Sequence, residues 1–283
     1  MKIVVSGAAG FLGSHVVDRL VADGHLVTGL DDLTTGHLTN LAAARRKKGF
    51  ALHTFDVAAP LVTDLVRREH PDVVVHLAPV LPVALLEATR AVEARFVLGG
   101  SASVYGGTRS PVSERHGCHP ANLAGAHHTA AEAYVHAHVA RGLRATTLRM
   151  TTVYGRRSRG VVTTWARALI AGRPTYLHGD GTQVRDLVHV DDVVDAVVRC
   201  LGGKADGRRL NIGTGTGTTT RALHTAVAAA VGRPDAPEYT AERAEDLASV
   251  LVDPGAARRA LGWEATIPLA QGLARTVDDL RRP

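Results

Sequence analysis

The sequence predicts an α/β protein built on a doubly wound parallel sheet, with a smaller lobe towards the C-terminus. Three observations support this fold class. Short apolar strands alternate with amphipathic helices through the first half of the chain, and each strand is followed by enough residues for a helical crossover. In addition, 283 residues with 45% hydrophobic content are enough to bury a complete α/β core. In such sheets a ligand lies at the carboxyl ends of the strands.

The N-terminal stretch carries the strongest local signal. Ile3–Val5 is an apolar, β-branched run typical of a buried parallel strand, and the chain then turns through Gly7, Gly10 and Gly13 into a helix. Glycines at such a turn let the backbone approach a ligand, and the helix N-terminus offers free N–H groups to a pyrophosphate. The next strand ends in Asp31, an acid placed to accept the hydroxyls of a ribose. The stretch therefore predicts a dinucleotide site.

The remaining elements follow in order along the chain. Apolar runs predict strands at His25–Leu30, Ala51–Phe55, Asp72–Ala78, Arg95–Gly99, Ala145–Met150 and Arg209–Ile212. Apolar residues at helical spacing predict helices at Leu61–Glu69, within Pro79–Ala94, from about Gly125 to Arg141, and at Val161–Ala171, Asp191–Leu201, Thr220–Val231 and Leu269–Arg281. Because the pattern changes at Arg156, we expect a dinucleotide-binding domain at 1–155, to which 186–215 return. Residues 156–185 and 216–283 are then expected to form the substrate-binding lobe.

Amino-acid composition limits which binding partners and which cellular location we expect for the protein. The chain is basic, with a formal net charge of +6, but only 4% of its residues are aromatic, which leaves little for base stacking. We therefore expect an anionic or carbonyl-rich small molecule and no nucleic acid. No apolar run is long enough to span a membrane, and the chain starts with a strand and a turn instead of a signal peptide, so we expect a cytoplasmic protein. The two cysteines, Cys118 and Cys200, provide neither a disulfide framework nor metal-ligand spacing.

Eight segments, in this order, resemble the extended short-chain dehydrogenase/reductases, and among them the nucleotide-sugar epimerases and dehydratases. The segments are Val5–Ser14, Asp31–Gly36, His76–Ala78, Ser101–Gly106, Arg149–Gly155, Gly179–Asp192, Asn211–Gly215 and Leu261–Trp263. The resemblance covers nearly the whole chain. It implies a Rossmann fold, a nicotinamide cofactor and a small-molecule substrate.

The catalytic residues of that family are only partly present. The resemblance implies a Ser or Thr, a Tyr, and a Lys four residues after the Tyr. Ser101 matches the serine, but Ala124 stands at the position of the tyrosine and His128 at that of the lysine. None of the five tyrosines has a lysine four residues later. Loss of such an acid/base group costs on the order of 10²–10⁴ in rate.

Two further segments depart from the family pattern. Only Pro79–Ala94 connects two central strands, where the resemblance implies a longer segment with a loop over the active site and part of a dimer helix. We therefore expect a more open nicotinamide end, and the oligomeric state stays open. The other departure is the basic run Arg156–Arg159, which suits a large anionic partner.

The main functional hypothesis follows from the absence of the family's Tyr–Lys pair. Reducing an activated ketone depends less on a general base than oxidising a sugar hydroxyl does, because positioning supplies much of the rate. We therefore predict an atypical NAD(P)H-dependent ketoreductase that reduces an activated carbonyl of a bulky secondary metabolite, such as an aromatic polyketide. Antibiotic-pathway reductases acting on angucyclinones are the subgroup that the chain resembles in this interpretation.

Two alternatives to the ketoreductase stay open. One is an NDP-sugar epimerase or dehydratase with a relocated acid/base, His127 or His128, since imidazole titrates near neutrality. The other is a non-catalytic NAD(P)-binding sensor. Asp31 would repel a 2′-phosphate and so favours NADH over NADPH, although Thr34–His37 leave room for NADPH.

The glycine-rich turn and the resemblance together define the expected site. The expected catalytic residues are Ser101 and His128. The expected cofactor-binding residues are Gly7, Gly10, Phe11, Leu12, Gly13, Asp31, Asp32, Asp56, Val57, Leu77, Ala78 and His128. The expected substrate-binding residues are Ser103, Asn122, Thr152 and Arg185, and no metal site is expected.

Overall fold

The computed structural model describes residues 1–108, 110–243 and 246–282. Its strands are β1 (Lys2–Ser6), β2 (Leu26–Leu30), β3 (Phe50–His53), β4 (Val73–His76), β5 (Arg95–Ser101), β6 (Arg144–Met150), β7 (Thr152–Tyr154), β8 (Tyr176–His178), β9 (Val184–His189), β10 (Arg209–Ile212), β11 (Gly217–Thr219), β12 (Glu238–Thr240) and β13 (Ser249–Val250). Its α-helices are α1 (Phe11–Ala22), α2 (Leu61–Glu69), α3 (Val83–Ala91), α4 (Leu123–Ala140), α5 (Val161–Ile170), α6 (Val190–Cys200), α7 (Thr220–Val231), α8 (Gly255–Leu261) and α9 (Leu269–Arg281).

A seven-stranded parallel sheet organises the molecule. Its strand order is β10-β6-β5-β4-β1-β2-β3, and every neighbouring pair runs parallel. Successive crossovers lead in opposite directions from β1, so a crevice opens at the carboxyl ends of β1 and β4. The predicted doubly wound parallel sheet is confirmed.

Alternating side chains of the central strands build a core on each face of this sheet. Ile3 and Val5 of β1 point to one face and join a cluster that includes α1 and α6. Val4 points to the other face and joins a cluster with α2, α3 and α4. Because both faces are covered, the strands are apolar throughout, as expected for a buried parallel sheet.

The segment between β4 and β5 contains one short helix, α3, as the sequence predicts. Buried His76 fixes the start of this segment. Its Nδ1 lies 2.6 Å from the Ser6 hydroxyl and its Nε2 lies 2.9 Å from the Val80 carbonyl oxygen. The imidazole thereby links the end of β1 to the first residues of the crossover.

The smaller sheets are built from strands that come after β6 in the chain. The antiparallel pair β11–β9 is extended by β13 and β7, which both run parallel to β9, while β8 pairs with β12. Helices α5, α7 and α9 share one further apolar cluster. Apart from β9, these strands have only two or three residues, too few for a periodic signal, and in β9 Arg185 and Asp186 interrupt the apolar run, so the sequence pattern did not predict them. Among the described helices, none is both long and apolar enough to cross a membrane.

The element bounds differ from prediction where tertiary contacts intervene. The strand predicted at Ala51–Phe55 is found at Phe50–His53, because Phe55 and Asp56 leave the sheet to line a cleft. The long helix begins at Leu123, two residues before the predicted start, where the Asn122 side chain accepts a hydrogen bond from the Gly125 N–H. The predicted division into domains 1–155 with 186–215, and 156–185 with 216–283, stays a prediction.

Candidate active site

The glycine-rich turn brings three elements into backbone contact. Gly7 has a φ of +71°, and a Cβ there would lie 2.7 Å from the Ala78 nitrogen. A Cβ on Gly13 would lie 1.9 Å from the Gly7 oxygen. No side chain caps α1, so its first N–H groups remain open to a ligand. These features fit a turn that receives a pyrophosphate.

A cleft of about 290 Å³ lies along this turn and the carboxyl ends of β1, β2 and β4. Ten of the predicted cofactor-binding residues line it, namely Gly7, Gly10, Phe11, Leu12, Asp31, Asp32, Asp56, Val57, Leu77 and Ala78. Gly13 lies behind the turn and supports it. Thr34 and Thr35, considered above as room for NADPH, also line it, and the structure adds Leu30, Phe55, Pro79 and Val80. Pro79 and Val80 were missed because they belong to the shortened crossover.

The carboxylate of Asp31 is held rigidly at the end of β2. It accepts hydrogen bonds from the Ala9 N–H at 2.8 Å and from the Leu33 N–H at 2.9 Å. A Cβ on Gly36 would lie 2.6 Å from its Oδ1, so glycine leaves the space that the carboxylate needs. Beside it, hydrogen bonds from Thr34 lower the pKa of Asp32. Two acidic groups at this point disfavour a 2′-phosphate and favour NAD over NADP.

A second cavity, of about 220 Å³, opens at the carboxyl end of β5. It brings together Ser101 and all four predicted substrate-binding residues, Ser103, Asn122, Thr152 and Arg185. The structure adds Met150, Thr151, Asp246, Leu247 and Val250, which come from segments that no motif marks. The roles of all these residues stay predictions, but their proximity is a property of the fold.

Ser103 constrains the hydroxyl of Ser101. The Oγ of Ser101 accepts hydrogen bonds from the Ser103 hydroxyl at 2.9 Å and from the Ser103 N–H at 3.1 Å. Both acceptor positions of the Ser101 oxygen are therefore used. Its own proton is left to donate to another group.

The start of α4 is pressed against the turn that contains Ser103. A Cβ on Gly125 would lie 2.6 Å from the Ser103 carbonyl oxygen, so this approach requires glycine. Ala124, at the family's tyrosine position, is exposed, and His128 follows one helical turn later, partly buried. Burial lowers the pKa of His128, helped by His127 and opposed by Glu132, so the imidazole is neutral at pH 7. His128 does not line either of the two cavities described so far.

A buried polar network, not foreseen from the sequence, fixes α4 to β6. Arg149 donates to the Glu132 carboxylate at 2.6 Å and to the Tyr105 hydroxyl at 2.8 Å. The Tyr105 hydroxyl in turn donates to the Asn211 side chain at 2.7 Å. Both partners of the ion pair are buried, which makes the network costly to break. Its function is to hold α4, and with it His128, in one position.

A third cavity, of about 430 Å³, lies between α5 and β8. Its polar and aromatic lining consists of Arg159, Thr164, Trp165, Thr175, Tyr176, His178 and Arg243. Arg243 lies three residues before Asp246, which lines the second cavity and lies 3.7 Å from the Arg185 guanidinium. The sequence showed the basic run at 156–159 but gave no sign that Arg159 and Arg243 line the same cavity.

Comparison with known proteins identifies the group to which the chain is related. The model of the NAD dependent epimerase/dehydratase family matches residues 3–82 and 79–213, in two segments that meet at the shortened crossover. A UDP-glucose 4-epimerase of Mycolicibacterium smegmatis is 40% identical over 309 positions, covering 99% of each chain. Since 309 positions exceed the 283 residues of this chain, that relative carries additional residues.

Solved structures agree with this relationship. UDP-glucose 4-epimerase of Thermotoga maritima, determined with UDP-glucose, superposes with a TM-score of 0.94 at 30% identity, over 99% of both chains. The Thermus thermophilus UDP-glucose 4-epimerase in complex with NAD gives a TM-score of 0.90 at 31% identity, again over 99% of both. The predicted nicotinamide dinucleotide cofactor is confirmed, with NAD as the form that the relatives bind.

These relatives overturn the prediction of a ketoreductase for an aromatic polyketide. That prediction rested on the absent Tyr–Lys pair, but a missing acid/base says nothing about which molecule the rest of the site binds. The relatives, matched over almost the whole chain, are UDP-sugar enzymes. The resemblance to antibiotic-pathway reductases finds no support. On this evidence, the chain belongs to the NAD dependent epimerase/dehydratase family.

Proposed function

We propose that this protein is an NAD-dependent enzyme that epimerises a UDP-sugar at C4 of its hexose, with Ser101 and His128 serving the proton-transfer role of the family's tyrosine and lysine. The observation that carries the proposal is the second cavity. It joins Ser101 to Arg185, so a hydrogen-bond donor for a sugar hydroxyl and a cation for a phosphate share one space. The 40% identity to a UDP-glucose 4-epimerase supports the same substrate class.

The third cavity suits the nucleotide part of such a substrate. Arg159 and Arg243 supply positive charge for a diphosphate, while Trp165 and Tyr176 supply aromatic surface for a base. His178 adds a polar group that can hydrogen-bond to a base edge. We place the nucleoside in this cavity and the hexose in the second one. This arrangement agrees with the predicted substrate-binding lobe at 156–185 and 216–283.

The first cleft suits NAD, with its diphosphate at the N-terminus of α1 and its adenosine ribose at Asp31. Bound there, NAD supplies reversible hydride acceptance at its nicotinamide ring. Ser101, whose proton points away from Ser103, donates a hydrogen bond to the sugar hydroxyl oxygen. Neutral His128 lies outside the second cavity, so it takes up the hydroxyl proton through an intervening water during oxidation and returns it by the same route during reduction. Epimerisation requires both directions, so one reversible base serves both.

The test combines binding and turnover. The purified protein is titrated with UDP and with UDP-glucose by calorimetry, and then incubated with NAD and UDP-glucose while UDP-galactose is measured by chromatography. Arg185→Ala should weaken UDP-sugar binding about tenfold, whereas Arg209→Ala, an exposed change at the start of β10, should not. Absence of UDP binding would contradict the proposal. Binding of both NAD and UDP-glucose without any turnover would identify a non-catalytic sensor instead.

A further inference from the structure

A hydrogen-bonded chain of three side chains lies behind the third cavity. The Thr175 hydroxyl is 2.7 Å from His224 Nε2, and His224 Nδ1 is 2.7 Å from Asp235 Oδ1. Asp235 accepts further hydrogen bonds from Arg221 at 2.8 Å and Thr225 at 2.8 Å. These residues come from the position just before β8, from α7 and from the loop before β12, so no sequence motif joins them.

The charge on Asp235 determines the direction of its hydrogen bond with His224. The guanidinium of Arg221, with Thr225 and His224, holds the pKa of Asp235 far below its usual range, so the carboxylate is ionised. An ionised carboxylate only accepts, and therefore His224 Nδ1 donates to it. Its Nε2 lies within hydrogen-bond distance of the Thr175 hydroxyl, at 2.7 Å. The imidazole is thereby held between the carboxylate and the hydroxyl.

This hydrogen-bonded set of side chains holds its neighbours in position and is not arranged to attack a substrate. The order Thr–His–Asp occurs in hydrolytic triads, where the hydroxyl must reach the substrate. Here the Thr175 residue is only 2% exposed and His224 is fully buried. A hydroxyl so enclosed has no approach for an acyl or phosphoryl group.

His224 connects these hydrogen-bonded side chains to the aromatic wall of the cavity, which consists of Trp165 and Tyr176. Its ring meets the Trp165 ring edge-on, with 5.1 Å between the ring centroids and 70° between their planes. The indole N–H of Trp165 donates to the Tyr176 carbonyl oxygen at 3.0 Å. Thr175, Trp165 and Tyr176 all line the cavity. The orientation of the aromatic wall therefore depends on the imidazole behind it.

We propose that Asp235, His224 and Thr175 form a positioning network that keeps Trp165 and Tyr176 ready to receive the nucleoside of a UDP-sugar. This inference rests on the proposed function and adds two residues behind the cavity, His224 and Asp235, to Thr175, which lines it. The network sets the affinity for the nucleotide and leaves the affinity for NAD unchanged, because the NAD cleft lies on β1, β2 and β4 and shares none of these residues.

The test is a matched pair of Thr→Val variants. Thr175→Val removes the hydroxyl of the network, and Thr276→Val removes a hydroxyl that is equally buried on α9, where it donates to the Gly272 carbonyl at 2.8 Å. Calorimetry with UDP should show affinity about tenfold lower for Thr175→Val and unchanged for Thr276→Val. Thr175→Ser, which keeps the hydroxyl, should restore affinity. Asp235→Asn should weaken UDP binding while NAD affinity stays within twofold of the unchanged protein.

Each outcome separates the two proposals. If the unchanged protein does not bind UDP, the proposed function fails and this inference fails with it. If the unchanged protein binds UDP and Thr175→Val binds it equally well, only the positioning network is refuted. Equal losses of UDP affinity in Thr175→Val and Thr276→Val would also refute it, because they would show a general loosening of the lobe. Quenching of Trp165 fluorescence by UDP, compared between Thr175→Val and Thr175→Ser, gives a readout at the aromatic wall itself.

Discussion

The Ser101 oxygen accepts two hydrogen bonds from Ser103, one from its hydroxyl and one from its N–H. This relationship makes Ser101 a donor towards the second cavity, because an oxygen with both acceptor positions used has only its proton left to offer. A site that lacks the family's tyrosine thus retains one oriented donor.

Removal of this donor should slow turnover more than it weakens binding. Ser101→Ala should lower kcat by on the order of 10²–10³, the usual loss when one donor to a developing charge is removed. Ser103→Ala should lower kcat about tenfold, since the Ser101 oxygen then keeps only the hydrogen bond from the backbone N–H of residue 103. Steady-state kcat and KM for UDP-glucose measure both effects, with Ser113→Ala as a control outside both cavities. An unchanged kcat in Ser103→Ala would show that Ser103 does not orient the donor.

The pH dependence of turnover should reveal His128. Its pKa is lowered by burial, so the neutral base is present at pH 7 and is lost as the pH falls through that lowered value. We expect kcat/KM to be flat above pH 6.5 and to fall below it. His128→Ala should reduce kcat/KM at least 100-fold and remove this acid limb. An acid limb that persists in His128→Ala would assign the titration to another group.

Restoring the family pair should increase activity. In Ala124→Tyr/His128→Lys, the exposed position at the start of α4 regains a phenol, and a lysine stands one turn later. Because Gly125 presses this helix start against Ser103, the new phenol should come near Ser101. Turnover of UDP-glucose should rise on the order of 10²-fold. The single variant Ala124→Tyr is the control, and no gain in the double variant would show that the start of α4 does not face the sugar.

The glycine-rich turn should not tolerate a single added methyl group. In Gly13→Ala the new Cβ would lie 1.9 Å from the Gly7 oxygen, so the turn must shift. We expect the free energy of unfolding to fall by about 1–3 kcal/mol or more and NAD binding to weaken at least 100-fold. Gly107→Ala is the matched control, because nothing lies within 4 Å of its Cβ. Chemical denaturation and calorimetry with NAD measure the two effects, and normal NAD affinity in Gly13→Ala would be the contrary result.

Stability should fall on mild acidification because of His76. Burial lowers its pKa to about 4, against an unperturbed value near 6.5, so the unfolded state binds more protons between these values. The contribution of His76 to the free energy of unfolding is complete above pH 6.5. It falls by about 3 kcal/mol in all as the pH falls towards 4. Urea unfolding at several pH values should show that the free energy of unfolding depends less steeply on pH in His76→Gln than in the unchanged protein. Equal slopes would mean that His76 already carries its proton in the folded state.

Much of the fold and part of the candidate site could be predicted because their signals are local. The strand at β1, the glycines after it and the acid that ends β2 lie within 31 residues, and each follows from chain geometry alone. Family resemblance marked Ser101 and Arg185 as candidate site residues, because they lie in the matching segments Ser101–Gly106 and Gly179–Asp192. The substrate class was predicted wrongly, because the absence of Tyr and Lys was used to infer a ligand. A missing catalytic group changes the rate, whereas the ligand is selected by residues elsewhere.

Local sequence was sufficient for the parallel sheet and the dinucleotide turn, since continuous apolar runs and the backbone freedom of glycine act over a few positions. The third cavity depends on tertiary structure alone. Arg243 and Arg159 are 84 positions apart, and Thr175, His224 and Asp235 span 60, so only packing of α5, α7 and β8 brings them together. Likewise, only the fold shows that Ser103 uses both acceptor positions of Ser101, because a hydrogen bond depends on distance and direction that residue order does not specify.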